Sequence, residues 1–148
     1  MTKSDWVNET ILKFGYPKTL VAESTHWVIL LRPRQATLGA LILAHKGHAT
    51  SWGQIEAGAF EELKKITSGV ENALSKAVEF KKLNYLMLMM VDPQVHFHVL
   101  PRYDRDQTFA DIVFPDPGWP GPPDLGYAPD LDPGAFERLR QHIRNHWA

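Results

Sequence analysis

The sequence contains no cysteine, which excludes disulfides, thiolate metal centres and cysteine nucleophiles together. Positive charge is not in excess: 16 Lys and Arg stand against 17 Asp and Glu, for a formal net charge of −1. No broad basic field exists to gather a nucleic acid polymer, and none is expected as a partner. No apolar run is long enough to span a bilayer, so no membrane partner is expected either. The opening Met1-Thr2-Lys3-Ser4-Asp5-Trp6 is polar and has no signal-peptide core. The expected location is the cytoplasm. What is present is a globular composition: 44% apolar residues and 5 Trp in 148 residues. That suffices for one domain over 1–148 with a core of its own.

The first segment has helical spacing. Val7, Ile11 and Phe14 recur on one face, Ser4 is placed to cap it, and Gly15 with Pro17 stops it. Strands are expected over 19–24, 26–32 and 39–45, the last two joined as a hairpin through Pro33 and the residues after it. The longest periodic segment runs from 55 to 80. Ile55, Ala59, Phe60, Leu63, Ile66, Val70, Leu74 and Ala77 make its apolar stripe, and Glu61, Glu62, Lys64 and Lys65 its solvated face. The near-continuous apolar run 84–90 suits the middle of a sheet. Val91-Asp92-Pro93 then predicts a very short turn into a strand over 94–103. Seven of the 11 prolines fall within 115–133, so this segment is an arm without regular structure. Asp132 caps and Pro133 opens a last helix over 133–147, with Phe136, Leu139, Ile143 and Trp147 on its apolar face.

The chemistry concentrates in Gln94-Val95-His96-Phe97-His98-Val99-Leu100-Pro101-Arg102. On a strand, Val95, Phe97 and Val99 share the core face. Gln94, His96 and His98 share the other, spaced roughly 7 Å apart. Three readings stay open: a strand whose second face is merely polar, two ligands of a metal site, or nucleophilic catalysis by one imidazole. A metal would need a third ligand. That face of the strand offers no carboxylate or thiolate, and only His45 and His48 stand as distant candidates. His26 reads as a structural histidine, and His142 with His146 as partners of the last helix's C-terminus.

This segment resembles the motif of the histidine triad (HIT) family, in which three histidines alternate with apolar residues and Pro-Arg commonly follows. Gln94 stands at the first histidine, as in a bacterial subgroup of the family. The stretch Gly39-Ala40-Leu41-Ile42-Leu43-Ala44-His45-Lys46-Gly47-His48 and the Trp119-Pro120-Gly121-Pro122 arm are similar to family segments too. The resemblance covers about residues 20–122.

It implies an α+β fold: a five-stranded antiparallel sheet, one long packed helix and short terminal helices. It also implies a nucleotidyl hydrolase or transferase acting at the α-phosphate of a nucleotide, with no cofactor or required metal. His96 takes the nucleophile's position, His98 the third position, and His48 that of a histidine near the active site. The substrate the resemblance implies is a nucleoside phosphoramidate or a dinucleoside polyphosphate. The alternatives are a non-catalytic nucleotide-binding module and a metal-dependent hydrolase built on His96 and His98. Homodimers are expected, formed through the 84–90 strand and the arm.

Among binding candidates, Asn84 opens the strand that leads into the motif. Arg102 suits a phosphate or a salt bridge. Arg32 falls where the family places an acid for the ribose, and suits an anion instead. Trp119 is placed to stack on a base or to pin the arm. The family's glycine-rich phosphate loop has no counterpart between Asn84 and the motif.

Overall fold

The computed structural model describes residues 3–147, with side chains from Asp5 onward. In chain order its elements are α1 (Lys3–Trp6), α2 (Glu9–Lys13), β1 (Leu20–Glu23), β2 (Trp27–Leu31), β3 (Leu41–His45) and α3 (Ala57–Ala77). Then follow β4 (Lys82–Leu86), β5 (His96–Arg102), β6 (Gln107–Phe109), β7 (Ile112–Phe114) and α4 (Pro133–Asn145). The first five strands form one antiparallel sheet in the order β1-β2-β3-β5-β4. The fold is α+β, with one long helix against the sheet.

The period of two along each inner strand divides the side chains between two cores. Trp27, Ile29, Leu31, Leu41, Leu43, Val95 and Val99 face α3 and α4, where Ile66, Val70, Leu74, Leu139 and Ile143 meet them. Val28, Leu30, Ile42 and Ala44 point to the other side. That side is not open to solvent: Trp6, Ile11, Phe14 and Tyr16 of the N-terminal segment cover it. His96 lies opposite Ala44 and His98 opposite Ile42 on β3, with β4 on the other flank. Both histidines therefore sit on an inner strand, under a second hydrophobic layer.

Several expectations need correction. The opening helix is two short ones, broken at Asn8. Its side chain caps α2 by accepting from the Ile11 N–H at 2.9 Å, and donates to the carbonyls of Gly47 at 2.7 Å and His45 at 3.2 Å. Ser4 falls inside α1, and its side chain lies outside the described ones. The run over 84–90 is neither central nor all strand: β4 is an edge, it ends at Leu86, and residues 87–95 form a connection rather than a tight turn. Phe60, expected in the core stripe of α3, is 40% exposed and packs edge-on against Trp52. The last helix stops at Asn145. Trp147 beyond it lies so near Gly69 of α3 that a Cβ there would come within 3.1 Å of its ring. The β6–β7 hairpin was not anticipated. Its turn residues Ala110 and Asp111 have φ of 52° and 62°, a left-handed turn without the usual Asn-Gly or Asp-Gly pair.

Candidate active site

His96 opens β5 and is almost fully buried. Its Nδ1 lies 2.7 Å from the backbone carbonyl oxygen of Gln94. A carbonyl only accepts, so Nδ1 carries the hydrogen and the lone pair is left on Nε2. His98 has the opposite arrangement. The Arg32 Nε–H donates to its Nδ1 at 3.3 Å, and a guanidinium only donates, so the proton of the neutral ring resides on Nε2. Burial, then Arg32 and then His96 push the His98 pKa down to about 4, against an opposite pull from Asp92. His98 is therefore neutral near pH 7. The two rings lie 5.2 Å apart. Phe14, just past α2, sits over both at 5.8 and 6.0 Å.

Arg32 is 9% exposed. Its Nη1 donates to the Arg34 carbonyl at 2.6 Å, and among the described residues it forms no ion pair with a carboxylate. Desolvation and the neighbouring Arg34 disfavour its charge. A buried cation without a counter-ion is costly. It is also a ready receptor for an anion.

These groups line one cavity of about 390 Å³. Phe14, Arg32, Arg34, His96, His98, Leu88–Val91 and Asp92 line it, together with Leu125 of the arm. Asp92 is held at the rim by Lys13 at 2.6 Å. Gln94 does not line the cavity. Its side-chain oxygen accepts from the Thr10 hydroxyl at 2.6 Å and from the Thr10 N–H at 3.2 Å, tying the start of β5 to α2.

The cavity brings together His96, His98 and Arg32, and leaves Gln94, His48, Asn84, Arg102 and Trp119 outside it. His48 is exposed, bonded at 2.9 Å to the Asp5 carbonyl, and lines a different cleft beside His26, His45 and Glu56. Asn84, Arg102 and Trp119 border a groove on the outer edge of β4. There Arg102 is fully engaged: Nε and Nη2 grip Asp116 at 2.7 and 3.1 Å, Nη1 reaches Asn84 Oδ1 at 2.8 Å, and Nη2 reaches the Gly121 carbonyl at 2.9 Å. Its work is to anchor the arm to the sheet. Among the described residues, no group of three or more His, Asp or Glu side chains is arranged to hold a metal ion.

No protein-family model matches the sequence, and no curated protein matches it. Solved structures do match. A histidine triad (HIT) protein from Sinorhizobium meliloti 1021 aligns with a TM-score of 0.75 at 20% identity, over 98% of this chain and 99% of that one. A histidine triad protein from Bradyrhizobium japonicum gives 0.73 at 19%, over 97% and 99%. This chain has the histidine triad fold. A hypothetical histidine triad nucleotide-binding protein from Sulfolobus tokodaii strain 7 gives 0.65 at 20%, over 86% and 82%. At such identities the likeness is one of fold, and the roles of side chains on this HIT fold rest on their geometry.

On that basis the site contains residues the sequence did not single out. Phe14 reads in the sequence only as the end of an apolar stripe, Arg34 as part of a hairpin connection and Asp92 as part of a turn, and Lys13 carries no signal of its own. Leu88–Met90 reads as strand and Val91 as turn, and wall residues so far along the chain carry no local signal. Only the Arg32-Pro33-Arg34 pair of cations around a turn could have drawn attention to the rim.

Proposed function

We propose that this HIT-fold protein binds a nucleotide in the histidine cavity and transfers its nucleotidyl group through His96. One observation carries the reading: the Gln94 carbonyl fixes the His96 hydrogen on Nδ1, so Nε2 holds a free lone pair in a residue that lines the cavity. In the first step Nε2 forms a bond to the α-phosphorus, the bond from phosphorus to the leaving group breaks, and its electron pair departs with that group. In the second, water attacks phosphorus, the N–P bond breaks, the pair returns to Nε2, and the water proton passes to solvent. Splitting one displacement into two is the use of a covalent intermediate. Arg32 and the Nε2–H of His98 supply donors to the phosphoryl oxygens. One structural neighbour is named as a hypothetical histidine triad nucleotide-binding protein, which agrees with this substrate class. The apolar Phe14, Leu88 and Met89 offer walls for the nucleoside.

A metal hydrolase on the same strand fits the geometry less well. His98 carries its hydrogen on Nε2 and receives Arg32 at Nδ1, so only His96 offers a lone pair. Self-association along the open edge of β4, beside the exposed Leu88, Met90 and Val91, accords with the expected homodimer.

The test is turnover of nucleoside phosphoramidates and dinucleoside polyphosphates by wild type and His96→Ala, with and without chelator, plus denaturing quench to trap a nucleotidyl-protein. His96→Ala is expected to lose at least about 10³ in kcat/KM and all trapped label, and chelation to leave the wild type active. Retention of most activity in His96→Ala would overturn the covalent route.

A further inference from the structure

The lining of the His96 cavity is of two unlike kinds. One is ionic or titratable, with Arg32 and the two imidazoles at its centre. The other is hydrocarbon drawn from three separate stretches of chain: Phe14 after α2, Leu88 and Met89 after β4, and Leu125 of the arm. Among the described residues that line the cavity there is no Ser, Thr, Asn, Gln or Tyr. The one carboxylate, Asp92, is held by Lys13 at 2.6 Å. Beyond the groups that meet a phosphate, no uncommitted side chain remains to read a base edge or a ribose diol. A site built to hydrogen-bond one substrate group rejects analogues lacking it by about 10⁴–10⁵, whereas apolar contact discriminates by only about 10- to 200-fold per methylene.

Leu125 reaches the cavity because its turn is tied down. The Asp124 side chain accepts from the Gly126 N–H at 3.0 Å, and the Tyr127 N–H donates to the Asp124 carbonyl at 3.4 Å, the local bonding that suits aspartate at the start of a turn. Arg34 Nη2 donates to the Gly126 carbonyl at 3.1 Å. The Arg34 carbonyl in turn accepts from Arg32 Nη1 at 2.6 Å, and Arg32 Nε donates to His98 at 3.3 Å. Hydrogen bonds thus lead from the His98 ring through Arg32 and Arg34 to the arm. Gly121 is fixed by Arg102 at 2.9 Å, so the stretch from 121 to 126 is anchored at both ends.

We propose that Leu125, positioned by Arg34, selects the organic part of the substrate, and that it does so by apolar contact alone. The proposal rests on nucleotide binding in the His96 cavity and goes beyond it. The ligand class is a phosphate ester carrying a flat apolar body. Base identity and ribose hydroxyls are not read, and an aryl group serves in place of a nucleoside. Leu125 is the contact residue and Arg34 a positioning residue.

Calorimetry with small phosphates tests this. AMP, GMP, CMP, UMP and dAMP should bind the wild type within about fivefold of one another, and ribose 5-phosphate, which has no base, at least about tenfold more weakly. Phenyl phosphate should bind more tightly than ribose 5-phosphate. Leu125→Ala should weaken AMP and phenyl phosphate by about five- to tenfold, and inorganic phosphate by less than about twofold. Leu125→Met conserves volume and should stay near the wild type. Arg34→Lys keeps the charge without the planar fork; it should weaken AMP in the same direction by less, again sparing inorganic phosphate. In turnover, Leu125→Ala and Arg34→Lys should raise KM and keep kcat, as loss of uniform binding requires. A preference above about 30-fold for AMP over GMP, or over dAMP, would reveal a hydrogen-bond reader and overturn the proposal. So would equal loss of AMP and inorganic phosphate in Leu125→Ala, which marks a structural role, or no loss of either. If the binding pattern holds but no turnover depends on His96, selection by Leu125 stands and the transfer reading falls. If turnover depends on His96 and the binding pattern fails, the selection falls and the transfer reading stands.

Discussion

Replacing Arg32 by methionine keeps the length of the side chain and removes its charge and donors. Two effects of opposite sign follow. In the folded protein without ligand, the guanidinium is buried, donates to the Arg34 carbonyl at 2.6 Å and to His98 Nδ1 at 3.3 Å, and has no carboxylate partner among the described residues. Two hydrogen bonds lost cost about 1–3 kcal/mol together. Removal of an uncompensated buried cation returns a desolvation penalty of several kcal/mol. Stability should therefore stay level or rise. Activity should fall, because a charge-assisted bond to the phosphoryl group is worth about 1.5–3 kcal/mol, or about 10- to 150-fold in kcat/KM. The His98 pKa should climb from about 4 toward its ordinary value, since Arg32 is the second cause of its depression after burial. Arg32→Lys keeps the charge but not the fork that reaches both His98 and the carbonyl, and should fall between. The assay is urea denaturation, with and without inorganic phosphate, alongside kcat/KM and a proton-NMR titration of His98. Wild type should gain stability from phosphate as mass action requires, and Arg32→Met should gain little. If Arg32→Met is destabilised by more than about 2 kcal/mol and still gains as much from phosphate, Arg32 is a structural residue and the anion-receptor argument is wrong.

Two other outcomes follow from the same geometry. His98 is held neutral, with a folded pKa of about 4 below its ordinary 6.5, so the unfolded chain binds the extra proton first. Its contribution to stability is complete above about pH 6.5 and is lost as pH falls toward 4. His98→Gln should flatten the acid side of a stability–pH curve over that interval, and an unchanged curve would count against the depressed pKa. Arg102 and Asp116 are a buried pair, with side chains 4% and 1% exposed. Arg102→Met or Asp116→Asn alone should destabilise by about 3–5 kcal/mol. The double replacement should recover much of that, with kcat/KM per folded molecule kept; a specific loss of activity would return Arg102 to the substrate.

The sheet was legible wherever one residue's choice of face repeats along a strand. Val28, Leu30, Ile42 and Ala44 alternate with Trp27, Ile29, Leu31, Leu41 and Leu43, and the same period of two put His96 and His98 together away from the α3 side. The run after Asn84 misled for a physical reason. Leu88, Met89 and Met90 are apolar because they wall the histidine cavity, and a wall residue and a strand residue look alike in sequence. Asn8 breaks the opening helix because it serves carbonyls at 45 and 47, a demand no local pattern contains. Arg102 fits a phosphate as well as it fits Asp116 until the arm is folded back. Local chemistry identified the kind of partner there, and only the tertiary structure identified which one.

The substitution at position 94 separates two tasks that a histidine there would combine. Orientation of the His96 ring does not depend on the side chain at all: the backbone carbonyl of residue 94 accepts from His96 Nδ1, and any residue with that backbone supplies it. The Gln94 side chain is spent on Thr10, bracing α2 and with it Phe14 over the two imidazoles. What position 94 does not offer is a titratable side chain. His98, kept neutral by burial and by Arg32, does not replace it. On the proposed route through His96, the attacking nitrogen is prepared while acid assistance is missing, an imbalance that would select among substrates by the stability of what departs.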